Sequence, residues 1–554
     1  MLSEQPTLAT RGMVATAHYL ATQAGLQMLQ QGGNAIDAAL AANAAMTVVY
    51  PSTCSAGGDV FMLIWEAKTQ KLHALNGSGR APGHLTPELL AKRGLQRMPL
   101  RGPLSINVPG AVDGWFEAMT RFGTLSAETI FTPAIGLAEE GMPVSPKLSK
   151  WLEMAAEGVL GPWSSSASTY LIDGKFPHAG TILRQPNLAR TYKLLSQEGR
   201  DAFYRGPLTH TITEYIQQCG GVLSLEDMAT HHSDWVEPIS TNYRGYDVYE
   251  FPPNSQGIAA LEMLNIIEGY DLKALGYQTA EYLHILLEAK KLAFADRDRY
   301  VSDPAFVDVP VEHLLSKDYA AQQRQRISLT QAARHVGPGE LEGDTMYLCT
   351  ADRYGNVVSL IQSLYHGFGS GIVGGETGVL LHNRGAYFSL NPQHINYLQP
   401  GKRTMHTLTP AMVLRHNTPY MALGSMGGDA QPQIHVQLLS AMIDFELNVQ
   451  QVISAPRWRS GRFSAEPAGG SAIEQGGQSD VDEHLSKTIA EAVVLEQRFP
   501  DDVPLALDLL GHRIFVHGAW EDGMGHAQAI AINPDTHVFA GAADPRCDGL
   551  ALGW

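Results

Sequence analysis

The chain has 554 residues, of which 17% are charged against about 25% in an average globular protein, and its formal net charge is −17. A low charged fraction suits a large core with little disordered surface, and the absence of any basic block argues against nucleic acid or an anionic membrane as a partner. A small anionic substrate is not excluded, because a few arginines can dominate one pocket.

The first stretch, MLSEQPTLATRGMVATAHYL, has neither a basic n-region nor an apolar h-region, so no signal peptide is expected and the cytoplasm is the expected location. AIDAALAANAAMTVVY, the most apolar early stretch, is interrupted by Asp37 and Asn43 and is too short for a membrane span. Residues 20–50 read as two helices. Leu20, Ala24 and Leu29 recur at roughly helical spacing, Gly32 and Gly33 stop the first helix, and Asn34 can cap the second. Residues 57–75 read as a strand pair around a polar turn. The clearest helix is 281–301, where Tyr282, Ile285, Leu286, Ala289, Leu292 and Ala293 make one apolar face and Asp303-Pro304 closes it.

Over residues 327–344 the periodicity fades, and GPGELEGD reads as a mobile loop. The chain then turns β-rich. TMYLCTA and VVSLIQSL flank the turn DRYGN, IVGGETGVLLHN continues, and PAMVLRHNTPYMALGS reads as a second hairpin. The expected organisation is a helix-rich first part, an exposed loop and a strand-rich second part. With no flexible linker between them, the two parts share one core.

Several familiar motifs fail. GFGSGIVGG at 367–375 has the glycines of a nucleotide loop but is followed by β-branched residues and more glycine, where a dinucleotide fingerprint opens a helix. There is no GxSxG serine elbow. His231-His232 is an isolated pair, and no HExxH, CxxC or carboxylate cluster suggests a metal. Cys54, Cys219, Cys349 and Cys547 are scattered and suggest no disulfide framework. No metal or organic cofactor is expected.

One residue stands out chemically. Thr345 sits where the loop meets the strand. A cut between Asp344 and Thr345 would place its hydroxyl beside its own α-amine, whose pKa of about 7.7–8.0 suits a general base. A threonine activated by its own N-terminal amine is an established kind of nucleophile.

The wider sequence resembles the γ-glutamyltranspeptidase (glutathione hydrolase) family of N-terminal nucleophile hydrolases, from about Gly12 to Trp554. The resemblance rests on GLQMLQQGGNAIDAALAANA, GGDVFML, NVPGAVDGW, FPPNSQGIAALEMLNI, EAKKLAFADRDRYVSDP, GDTMYLCTADRYGNVVSLIQS, FGSGIV, GVLLHNRG, PGKR, LTPAM, GSMGGD and GMGHAQAI, in that order. It implies an α+β fold, a four-layer αββα sandwich, and a proenzyme that cleaves itself into two chains, 1–344 and 345–554, which stay associated. A homodimer of these heterodimers is compatible with it. By position, Thr345 is the implied nucleophile and Ser363 a hydroxyl that helps orient it. Gly427 and Gly428 are the implied oxyanion-hole glycines, where a close backbone approach leaves no room for Cβ. Arg80, in NGSGRAP, matches the arginine that binds the substrate carboxylate.

The resemblance breaks around the substrate amine. The family holds a glutamyl ammonium with an asparagine, a glutamine or similar polar residue, and an aspartate. Those positions here are Tyr365, Arg384 and Tyr387. An inward Arg384 would repel an ammonium and attract a second acidic or carbonyl group. The paired serines that contact the α-carboxylate are replaced by His406 and Thr407. The segment between AYFSLNP and PGKR is short, which implies a more open site and favours hydrolysis over transpeptidation. The divergent bacterial branch that resembles oxamate amidohydrolase and cephalosporin or glutaryl acylases accommodates these changes. The expected substrate is a small carboxylate-bearing amide, γ-glutamyl or oxamate-like. A catalytically silent ligand-binding member and a nucleotide-dependent enzyme built on the glycine loop are the alternatives.

Overall fold

A computed structural model of the protein describes residues 5–333, 344–461 and 492–554, with Asp344 through its backbone alone. The loop expected at GPGELEGD, up to Gly343, therefore lies outside the described residues.

Fourteen strands build the two main sheets. In chain order they are β1 (Thr7–Ala9), β2 (Gly12–Thr16), β3 (Asp59–Glu66), β4 (Lys71–Gly77), β5 (Asp234–Val236), β6 (Ile239–Tyr243), β7 (Tyr246–Glu250), β8 (Asp344–Asp352), β9 (Val357–Tyr365), β10 (Ala411–Arg415), β11 (Thr418–Ser425), β12 (Ala527–Ile532), β13 (Phe539–Ala543) and β14 (Leu550–Gly553). The first sheet has the order β14-β2-β8-β9-β3-β4-β5 and the second β1-β13-β12-β11-β10-β7-β6. Every pairing in both is antiparallel. Each sheet contains strands from before residue 344 and strands from after it, hydrogen-bonded side by side.

Side-chain parity assigns the layers. Along β8, Tyr347, Cys349 and Ala351 pack between the sheets with Met412, Leu414, Ala422 and Ile530. Met346 and Leu348 face the other way, into a helical layer that includes α1 (Tyr19–Gln30) and α2 (Ala35–Val49). The sheets come close together: a Cβ on Gly424 of β11 would lie 2.4 Å from the Tyr347 ring. The second sheet is covered by α3 (Gly257–Ile267), α4 (Ala280–Tyr300) and α5 (Gln431–Phe445). The result is the expected α+β architecture of four layers, helix, sheet, sheet, helix.

Local signals explain much of this. The Asn34 side chain accepts the N–H groups of Ile36 and Asp37, and the Asp37 carboxylate takes the Asn34 N–H in return, so α2 begins with a capping box. The turn DRYGN joins β8 to β9, with the Asp352 carboxylate accepting the N–H groups of Tyr354 and Asn356.

Three expectations are corrected. The second part is not simply strand-rich, because the second sheet needs an outer layer and α5 supplies part of it. IVGGETGVLLHN forms no strand but two isolated bridges, Val373 with Leu380 around a 3-10 turn at Gly375–Thr377 and Leu381 with Gly57. The helix at 281–301 is not buried on one face alone. It lies between α3 and α6 (Val503–Leu509), so His284, Glu288, Lys290 and Lys291 are buried as well. Among the described residues no helix is long and apolar enough to cross a membrane.

Candidate active site

Three polar side chains stand in a row across the first sheet. Thr345 on β8 lies opposite Ser363 on β9, which lies opposite Asp59 on β3. Cross-strand partners share a face, and these share the face of Tyr347 and Phe61, toward the second sheet. All three are buried. The Thr345 hydroxyl donates to Ser363 Oγ at 3.1 Å, and the same oxygen accepts the Tyr365 N–H at 2.7 Å.

The ladder is irregular at the proposed cut. Asp344 pairs with Tyr365 and Thr345 with Ser363, so Leu364 is an extra residue. Its N–H goes to the Thr53 carbonyl and its carbonyl accepts the Asn383 N–H. Tyr365 pays for the bend with φ of +82°, a left-handed conformation uncommon for a bulky residue.

The bulge aims Tyr365 at Arg384. The guanidinium carbon sits 4.3 Å from the Tyr365 ring centroid, and Tyr387 meets that ring edge-on with centroids 5.4 Å apart. Arg384 Nη1 donates to Thr407 Oγ1 at 3.1 Å. Its Nη2 is buried without a hydrogen-bond partner among the described residues. Burial lowers the Arg384 pKa, while Tyr365, Asp59, Tyr387 and Asp429 oppose the shift. Arg384 thus points inward, as the substrate reading requires, and among the described residues its Nη2 has nothing to donate to.

Beneath it lies a charged relay. His406 Nδ1 accepts the Leu408 N–H at 3.2 Å, which leaves Nε2 to donate to Asp59 Oδ2 at 3.1 Å. Asp59 Oδ1 accepts the Gly79 N–H at 2.9 Å. Burial, then Arg384, drives the His406 pKa down to about 3. Burial would raise that of Asp59, but His382, His406 and Arg384 outweigh it and hold the carboxyl well below its usual range. A neutral imidazole is therefore held against an ionised carboxylate.

Gly427 and Gly428 follow β11 with φ of +135° and +53°, conformations that favour glycine. Neither amide N–H donates to another group among the described residues, so two backbone donors are available to a developing negative charge. Gln256 fixes the turn: its Nε2 donates to the Gly428 carbonyl at 2.8 Å and the Thr407 carbonyl at 2.7 Å. Arg297 Nη1 donates to Gln256 Oε1 at 2.7 Å and pairs with Asp429 at 3.2 Å, and Tyr387 donates its hydroxyl to Asp429 at 3.3 Å.

Arg80 stands apart from this network. Its guanidinium pairs with Asp234 at 3.1 Å and bonds the His232 carbonyl, and Arg403 pairs with the same Asp234. Thr345, Ser363, Arg384 and Thr407 are buried in the intact chain, with the Tyr365 and Tyr387 rings packed beside Arg384. The short segment is itself tied down, Asn396 Nδ2 donating to the Tyr387 carbonyl and Thr404 Oγ1. Sequence reasoning missed Asp59, Gln256, Arg297 and Asp429. All four lie in matched segments (GGDVFML, FPPNSQGIAALEMLNI, EAKKLAFADRDRYVSDP and GSMGGD), and an inventory of their polar residues would have found them.

The family model for γ-glutamyltranspeptidase matches residues 21–554. The chain belongs to this family. It is 39% identical over 550 residues to the glutathione hydrolase-like YwrD proenzyme of Bacillus subtilis, covering 99% of both chains. It is 36% identical to the oxamate amidohydrolase proenzyme of Klebsiella pneumoniae, again over 99% of each. Among solved structures, the cephalosporin acylase from Bacillus halodurans superposes with a TM-score of 0.89 at 40% identity, over 100% of this chain and 98% of that one. The γ-glutamyltranspeptidase family relation makes the protein an enzyme, and its fold is that of the N-terminal nucleophile hydrolases.

Proposed function

We propose that the protein is an autoprocessed amidohydrolase that releases ammonia or an amine from a small acid amide, with oxamate as the best-fitting substrate. The observation that carries the reading is the buried Arg384 beside Thr407, with one guanidinium nitrogen unpaired. A cation there disfavours the ammonium of a glutamyl group and suits a carboxylate, which a guanidinium can take in bidentate fashion.

In this reading the Thr345 hydroxyl attacks the Asp344–Thr345 peptide carbonyl. An N-to-O shift moves the Asp344 acyl group to Oγ1 and frees the Thr345 amine, and water cleaves the resulting ester to give the Asp344 α-carboxylate and the Thr345 hydroxyl. The amine then takes the hydroxyl proton as Oγ1 attacks the substrate amide. Ser363 Oγ, 3.1 Å away, holds Oγ1 in place. The Gly427 and Gly428 amides face the oxyanion, a contribution of about 3–4 kcal/mol from one such donor. The amine leaves with a proton, and water then releases the acid from Thr345. Hydrolysis is preferred to transfer. A homodimer of the two-chain unit and a cytoplasmic location belong to the same proposal, to be checked by solution mass and cell fractionation.

The test compares ammonia release from oxamate with release from a γ-glutamyl anilide by the mature protein. Turnover of oxamate should dominate. Strong γ-glutamyl turnover would sink the assignment of Arg384.

A further inference from the structure

Away from the reaction centre, α4 presents His284 and Glu288 four residues apart, hence on one face of the helix. His512, in the turn that follows α6, comes against them. The three side chains are buried, and one ligand atom from each lies within 4.8 Å of the others. His284 Nδ1 and His512 Nε2 are 2.8 Å apart. His284 Nε2 lies 2.7 Å from the Ser328 carbonyl, to which it donates. Such a bond fixes the tautomer and leaves Nδ1 with a free lone pair, as the outer hydrogen bond does for metal-bound histidines. Glu288 Oε2 accepts the Ala333 N–H at 3.1 Å, so both ends of residues 328–333 are held here.

We propose that His284, Glu288 and His512 form a divalent-cation site of the zinc type, which pins residues 328–333 to α4 and to the turn carrying His512. Two imidazoles and a carboxylate are a zinc donor set, with the fourth position left to water. Tetrahedral zinc with bonds of about 2.05 Å requires its nitrogens about 3.3 Å apart, so the imidazole pair opens by roughly 0.5 Å. On binding, the His512 proton moves from Nε2 to Nδ1, so no net proton is lost. In the cation-free form His512 Nε2–H donates to His284 Nδ1. Lys291 is the built-in competitor, its Nζ lying 2.6 Å from Glu288 Oε1 and 3.0 Å from the Ala333 carbonyl. A bound cation takes that oxygen and leaves Lys291 on the carbonyl. His284 and Glu288 precede Thr345 in the chain and His512 follows it, so the ion spans the proposed cut. The site stands whether or not the cut occurs.

The test is titration of chelator-stripped, full-length protein with zinc chloride, and with cobalt(II) as a coloured probe. The expected result is one ion per chain, visible cobalt absorption typical of tetrahedral imidazole ligation, loss of both in the H284A/H512A variant, and tighter binding in Lys291→Met. No binding at millimolar ion, or equal binding in H284A/H512A by surface histidines, would overturn the site. If the double variant fails to fold, the wild-type cobalt spectrum decides: octahedral or absent bands refute the proposal.

Discussion

Replacing Arg384 by methionine separates function from folding. Methionine keeps much of the length of the side chain and removes the charge. If the guanidinium holds a substrate carboxylate through two charge-assisted hydrogen bonds of about 1.5–3 kcal/mol each, the loss is about 3–6 kcal/mol. At 1.36 kcal/mol per tenfold, kcat/KM on oxamate should fall by about 10²–10⁴. Stability should move the other way or not at all. Arg384 is buried, and its described hydrogen bonding consists of Nη1 to Thr407 and its own backbone N–H to His382. Arg384 makes no ion pair among the described residues, so its removal strands no directly paired carboxylate and relieves the cost of burying a charge. Ammonia release gives the first quantity and urea unfolding the second, with a denaturing gel to show that the variant still matures. Unchanged kcat/KM would refute the carboxylate contact. A loss of activity that tracks a loss of stability would refute the claim that Arg384 is kept for binding.

Thr345→Ala should remain a single uncut chain on a denaturing gel and show no turnover; maturation of that variant would exclude Thr345 as the nucleophile. Gly428→Ala should lower kcat by about 10²–10³ by misplacing an amide donor, with KM changed far less; an equal rise in KM would point to damaged binding instead. Acid should destabilise the fold progressively. His406 at about 3, and His366 at about 3 from burial, bind fewer protons folded than unfolded, so stability is full above about 6.5 and falls as pH drops toward 3. Asp59, held below its ordinary value, adds a further loss below about pH 3.9. A thermal midpoint that stays flat from neutral pH to 4 would contradict this.

The elements were legible wherever one local signal decided them. Asn34 ahead of an apolar run gave α2, and DRYGN between two alternating runs gave the β8–β9 hairpin. The all-round burial of α4 was not legible, because the layers that cover His284 and Lys291 come from residues far away in the chain. The site was half legible. Family-like segments pointed to Thr345, Ser363 and the glycine pair, while the direction of Arg384, left open by the sequence, is inward in the fold. The row that joins Thr345 to Asp59 depends on strand order and register, which no single segment encodes. Arg80, which matches the family arginine in sequence, pairs with Asp234 in the uncut chain, a contact between distant segments that no single motif encodes.

The interleaving of strands in both sheets has a kinetic consequence. In the first sheet, β8 pairs with β2 and with β9, and β9 pairs with β3. If the proposed cut before Thr345 is made, those ladders join two molecules rather than two stretches of one. Unfolding then releases two chains, and recovery becomes a second-order encounter between partners that each lack half of both sheets. The uncut protein should regain its fold at a rate independent of dilution, while the mature enzyme should recover ever more slowly as it is diluted. Maturation would thus make folding in practice a one-way event.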